Sequence, residues 1–104
     1  MTRTLSEKEI EHVRSLVTIF AQKWTMRIVN ALAMNGESGM GFNEIMKNLD
    51  GISAAVLSNR LKSLQRMGYV KREVQAGPPT RTRYVLSERG KRIFEIADFV
   101  LQSR

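Results

Sequence analysis

No cysteine occurs in the 104 residues, so disulfides, thiolate metal sites and thiol redox switches are all excluded within this stretch. Histidine is almost as scarce. The single one, His12, stands among Glu9, Glu11 and Arg14, the setting of an ordinary surface residue. The only aspartates, Asp50 and Asp98, fall in a turn and in a terminal helix. No Ser/His/Asp set, carboxylate pair or metal-ligand spacing is visible. The chain is therefore expected to be no enzyme and to need neither metal nor cofactor. No apolar run approaches the ~18 residues of a membrane span. Residues Met1 to Glu11 are mostly polar, unlike a secretory signal. A cytoplasmic protein without membrane contact is the expectation. Proline is limited to one adjacent pair, Pro78 and Pro79.

What is present is positive charge, unevenly placed. The net charge is +7, with an apolar fraction of 42% and a charged fraction of 26%, as in an ordinary soluble domain. Residues 1–52 are balanced, six Lys/Arg against six Asp/Glu, whereas residues 53–92 carry ten cations against only Glu73 and Glu88. A basic block inside a balanced domain points to a polyanionic partner.

Residues 1–104 read as one domain without repeats or linkers. Ser6 and Glu9 form a capping box flanked by Leu5 and Ile10 at staple positions, and Ile10, Val13, Leu16, Val17 and Phe20 continue a helical stripe. A second helix is predicted from about Lys23 to Met34, with Trp24, Ile28, Ala31 and Leu32 on its inner side. It ends at "NGESGMG", a glycine cluster that lacks the lysine and Ser/Thr of a phosphate-binding loop. "FNEIMKNLDGIS" follows as a short helix with Ile45, Met46 and Leu49 inward. "SAAVLSNRLKSLQRMG" is a longer one, capped by Ser53, closed by Gly68, with Leu57, Leu61 and Leu64 as its core stripe. Two short helices joined by a glycine-containing turn make a helix-turn-helix.

Beyond Gly68 the period falls to two. "YVKREVQ" and "RTRYVLS" form a hairpin around "AGPPT". Alternation places Val70, Val74, Tyr84 and Leu86 on one side and Lys71, Arg81 and Arg83 on the solvent side. Ser87 caps a last helix with a stripe of Ile93, Ile96, Ala97, Val100 and Leu101, while Phe94 and Phe99 fall off it. The predicted fold is mainly α with a small β-hairpin wing, a winged helix-turn-helix.

On the helix from Ser53, the face opposite the leucines holds Ala55, Asn59, Lys62 and Arg66, flanked by Val56, Ser58, Arg60 and Ser63. No acid occurs between Gly51 and Glu73. Small residues permit close approach to a major groove, amides and hydroxyls read base edges, and cations hold phosphates. Asn59 is the candidate for reading adenine and Arg60 for guanine or phosphate. At the hairpin, Pro79 and its neighbour stiffen a tip that carries Thr80, Arg81 and Arg83, with Lys71 beside them. Pairing of Glu73 with Arg81 or Arg83 across the hairpin is the plainer reading.

The segments "KWTMRIVNAL", "FNEI", "LDGIS", "LSNRLKSLQRMGYVKREV" and "PPTRTRYVLSERG" together resemble the HxlR-type winged-helix transcriptional regulators of the MarR-like superfamily. Gly51, Ile52, Ser53, Leu57, Arg60, Leu61, Leu64, Gly68, Arg72, Pro79, Tyr84, Leu86 and Gly90 fall in that family's register. The resemblance implies a homodimer that binds an inverted-repeat operator on double-stranded DNA and acts mostly as a repressor. The helix from Ser53 to Met67 would be its recognition helix and residues 76–83 its wing. Dimer contacts would come from residues 1–22 and 93–104 around a core at 23–92, through Ile10, Val13, Leu16, Val17 and Phe20 with Phe94, Ala97, Val100 and Leu101. The cysteine that the family often uses for sensing is missing, the Asn35–Gly41 loop is longer than usual, and Arg83 replaces a frequent acid. Two other readings of the basic face stand beside this one, an acidic protein partner and structured RNA. A small-molecule effector pocket near Trp24 and Phe20 is left open.

Overall fold

The computed structural model describes residues 3–103, so residues 1, 2 and 104 of the expected 1–104 span lie outside the described residues. Five helices and one hairpin follow in the predicted order: α1 (Glu7–Ala21), α2 (Thr25–Asn35), α3 (Phe42–Asn48), α4 (Ala54–Arg66), β1 (Val70–Gln75), β2 (Arg81–Leu86) and α5 (Glu88–Gln102). This is the winged helix-turn-helix read from the sequence.

Helix starts are written in single residues. At α1 the Glu9 amide donates to Ser6 Oγ (3.1 Å) and the Ser6 amide to Glu9 Oε1 (2.9 Å), completing the capping box. Ser53 Oγ accepts from the Val56 amide, and Ser87 Oγ from the Gly90 amide, each at 3.1 Å. Gly68, at φ 79°, closes α4: its amide donates to the Gln65 carbonyl and the Tyr69 amide to that of Leu64, a Schellman pair.

Helix α2 begins two residues later than predicted. Trp24 precedes it in a left-handed conformation (φ 81°), so the α1–α2 joint turns sharply at that residue. The spacing of Trp24 and Ile28 looks helical whether or not Trp24 is inside the helix, which is why periodicity misplaced the start. Lys23 Nζ and the Arg27 guanidinium stand 5.4 and 5.5 Å from its ring centroid.

The core gathers Ile28, Val29, Ala31 and Leu32 of α2, Ile45 and Leu49, the α4 leucines 57, 61 and 64, and Val70 and Leu86 of the hairpin. Tyr69 is the largest fully buried side chain. Its ring meets Phe20 of α1 edge-on at 5.0 Å and lies 4.8 Å from the Arg89 guanidinium of α5, so it joins both terminal helices to the core.

The terminal helices are otherwise poorly covered. Among the described residues α1 buries none and α5 only Gly90. Leu16 and Phe20 pack partly on the core, while Ile10, Val13 and Val17 are exposed. On α5 the sequence reading needs correction: Phe94, expected off the stripe, packs against the core with Ile93, while Ile96, Phe99, Val100 and Leu101 are exposed. The helix carries two apolar faces about 100° apart, and a single stripe could not describe both.

Candidate nucleic-acid interface

Helix α4 presents its expected outer face. Leu57, Leu61 and Leu64 are buried, and Ala55, Asn59, Lys62 and Arg66 are exposed on the far side. The flanking residues are partly committed within the protein. Val56, half-buried, packs on the core, and Ser58 is half-buried too. Ser53 spends its hydroxyl on the helix cap. Arg60 bridges two elements: Nε donates to the Lys23 carbonyl (3.1 Å) and Nη1 to Asn59 Oδ1 (2.9 Å). The residue proposed to read a base thus also ties α4 to the α1–α2 joint. Arg66 Nη2 donates to Ser63 Oγ at 3.2 Å, an exposed contact that costs little to exchange for a phosphate.

The two strands pair antiparallel with Val70 opposite Leu86 and Gln75 opposite Arg81. That register puts Lys71, Glu73, Gln75, Arg81 and Arg83 on one face, as alternation requires. Lys71, Pro79, Thr80 and Arg81 are exposed, and the Pro78–Pro79 bond at the tip is cis.

Arg83 departs from expectation. Its side chain is 20% exposed and turns toward α3, where the guanidinium pairs with the Glu44 carboxylate. Nε donates to the Ser38 carbonyl (3.2 Å) and Nη2 to that of Gly39 (2.8 Å). Glu73 faces Arg83 in the ladder, yet among the described residues the ion pair goes to Glu44. Three acceptors already surround that guanidinium, so the added basicity anticipated at Arg83 is neutralised inside the fold.

Glu44 and the 3-10 turn Gly36–Ser38 are the parts that sequence reasoning missed. The Glu44 carboxylate also accepts from the Gly41 amide (3.2 Å), the backbone half of a capping box. A glutamate three residues into "GFNE" was the available signal. The Gly41 amide first, and Arg83 next, hold this carboxyl below its ordinary value of 4.5. A carboxyl whose folded pKa is depressed stabilises the fold above its unfolded value and loses that contribution as pH falls through the folded value. The contacts therefore persist at neutral pH and open only in acid.

Two clefts lie between α2 and α5. One, about 570 Å³, is lined by Met26, Val29, Leu49, Phe94, Ala97 and Leu101 with Asp50 and Asp98 among its polar groups. The other, about 360 Å³, sits between Leu32, Leu86 and Phe94. Neither is lined by Trp24 or Phe20. Among the described residues no group of three or more potential metal ligands is found, and no helix is long and apolar enough to cross a membrane.

Comparison with known proteins supports the same fold. Residues 19–102 match the model of the HxlR-like helix-turn-helix family. The chain is 40% identical over 80 residues to YvaP of Bacillus subtilis, described as an uncharacterised HTH-type transcriptional regulator, covering 77% of this chain and 71% of that one. The HTH-type regulator YodB of the same organism is 31% identical over 78 residues, 75% of this chain and 67% of that one. The reduced form of YodB superposes with a TM-score of 0.81 at 25% identity, covering 95% of this chain and 90% of that one. A possible HxlR family transcriptional factor from Thermoplasma volcanium superposes with a TM-score of 0.72 at 30% identity, covering 99% and 91%. A helix-turn-helix, its wing and a family match over most of the length agree, and the chain belongs to the HxlR-like helix-turn-helix transcriptional regulators.

Proposed function

We propose that the protein is a homodimeric repressor that binds an inverted-repeat site on duplex DNA, placing α4 in the major groove and the wing against the adjoining backbone. The observation that carries this reading is the acid-free outer face of α4, in line with the exposed cations of the wing. Ala55 allows close approach, Asn59 offers an amide to a base edge, and Lys62, Arg66, Lys71 and Arg81 are exposed cations for phosphate. Arg60 and Ser63 complete the flank, while Thr80 and Pro79 shape the tip. The family relationship supports the same reading.

The dimer rests on area. The accessible surface is 7644 Å². A compact protein of 11.9 kDa should expose about 6,000 Å². The excess of roughly 1,600 Å² is ample for the ~800 Å² that each partner loses in a standard interface. Its location fits: of ten large apolar side chains exposed among the described residues, eight lie on or beside α1 and α5. The radius of gyration, 15.4 Å, also exceeds the ~13 Å of a compact domain this long. Ile10, Val13, Val17, Val100 and Leu101 are the contacts proposed for the partner, with Leu16, Phe20, Phe94 and Ala97 beneath them.

If each protomer neutralises ~3–5 phosphates, the logarithm of affinity for duplex DNA falls with that of salt at a slope of roughly −5 to −9. Arg81→Ala should flatten the slope by about 0.9 per protomer. Titration of duplex DNA at several salt concentrations, with duplex RNA as competitor, tests both statements. An absence of DNA binding at low salt would favour an acidic protein partner, and preference for the RNA would favour an RNA role.

A further inference from the structure

Arg83 raises a question that DNA contact does not answer. A wing meant only to carry cations would leave this guanidinium free, yet it is folded back on another element. Three anchors receive it, the Glu44 carboxylate and the carbonyls of Ser38 and Gly39. Ser38 and Gly39 belong to the segment that leads into α3, the first helix of the helix-turn-helix, and Glu44 belongs to α3 itself. The neighbouring backbone repeats the connection: the Met40 amide donates to the Tyr84 carbonyl (2.9 Å) and the Tyr84 amide to the Met40 carbonyl (2.8 Å). Gly39 is what lets the chain come this close, since a Cβ there would stand 2.6 Å from the Tyr84 carbonyl oxygen. The base of the hairpin also packs on α2, α4 and α5, whereas five of the six residues of β1, Lys71 to Gln75, are exposed.

We infer that Arg83 is a positioning residue: through Glu44 and the Ser38 and Gly39 carbonyls it locks the wing at a fixed orientation to the helix-turn-helix, so that Arg81 meets DNA already aligned with α4. This rests on the DNA-binding reading above and adds a residue-level device to it. A wing free to swing is competent only part of the time, and apparent affinity is lowered by that fraction. The guanidinium suits the task because its planar fork serves several acceptors at once, which an ammonium cannot do with the same geometry. Glu44, already held in its charged form by the Gly41 amide, is a permanent partner at neutral pH.

Glu44→Gln separates this role from simple electrostatics, because the two give opposite signs. Removing an anion beside a basic wing should by Coulomb attraction alone tighten DNA binding. Loosening the brace, by leaving Arg83 a neutral acceptor in place of the carboxylate, should weaken it, by roughly three- to thirtyfold, while the salt slope stays unchanged because the bound complex keeps its phosphate contacts. Arg83→Gln should do the same, and the double variant should be no weaker than either single one. The probe is a random-sequence duplex, and hydrogen exchange is followed in the free protein at the Met40 and Tyr84 amides, with Leu61 of α4 as the internal reference. Faster exchange at those two amides, with Leu61 unaffected, supports the brace. Tighter or unaltered binding by Glu44→Gln, a slope flattened by Arg83→Gln, or unaltered exchange overturns it. Should the unaltered chain bind no duplex at low salt, the DNA reading fails, and the exchange comparison alone then decides whether Arg83 fixes the wing.

Discussion

A protein carrying Val17→Asp and Val100→Asp together should be a folded monomer, and its affinity for a duplex with two half-sites should fall by about a hundredfold to ten-thousandfold. Both side chains are 61% exposed in the protomer, so neither substitution removes core packing. Their cost is paid only where a partner would cover them. Burying an unpaired carboxylate costs several kcal/mol, and a twofold interface would bury four of them. Loss of the dimer converts two linked half-site contacts into two independent ones. Sedimentation gives the mass, circular dichroism gives the fold, and DNA titration gives the affinity. A dimer of unaltered stability would place the interface elsewhere and leave the apolar faces of α1 and α5 without a purpose.

The second large effect is on stability. Gly90→Ala should destabilise the fold by about 2–4 kcal/mol, which lowers the melting midpoint by roughly 10–20 °C in a domain of this size. Gly90 lies in the first turn of α5 and is buried against the start of the hairpin. A Cβ there would stand 2.2 Å from the Tyr69 carbonyl oxygen and 3.0 Å from Leu86 Cδ2. The carbonyl cannot swing away, because it accepts the Ser87 amide at 3.0 Å while the Ser87 hydroxyl donates to the Gly68 carbonyl. Helix α5 would have to lift from the core, taking Phe94 and Arg89 with it. A thermal melt reads the effect directly, and an unchanged midpoint would show that the helix start can shift without cost.

Most of this architecture is legible in the chain because its signals are local. Ser6, Ser53 and Ser87 announce three helix starts through their own hydroxyls, and Leu57, Leu61 and Leu64 announce a buried face by spacing alone. Alternation likewise puts Lys71, Arg81 and Arg83 on one face of the hairpin. What alternation cannot say is which neighbour waits beside that face. Glu44 is 39 positions from Arg83, and only the folded chain brings the two together. The same limit applies to Arg60, whose partner at Lys23 is 37 positions away. Phe94 was misplaced for another reason: a helix exposed on one apolar face and packed by another defeats a rule that looks for one stripe. Gly90 is the converse case, a residue recognised by pattern whose necessity becomes physical only when the Tyr69 carbonyl is seen beside it.

The most direct test of a twofold DNA-binding regulator is selection of bound sequences from a pool of random duplexes, followed by measurement of how many chains occupy each selected site. A symmetric arrangement of α4 helices predicts an inverted repeat with half-site centres about one helical turn, ~34 Å, apart, bound by two chains. Enrichment of an asymmetric sequence held by one chain, or no enrichment at all, would contradict it.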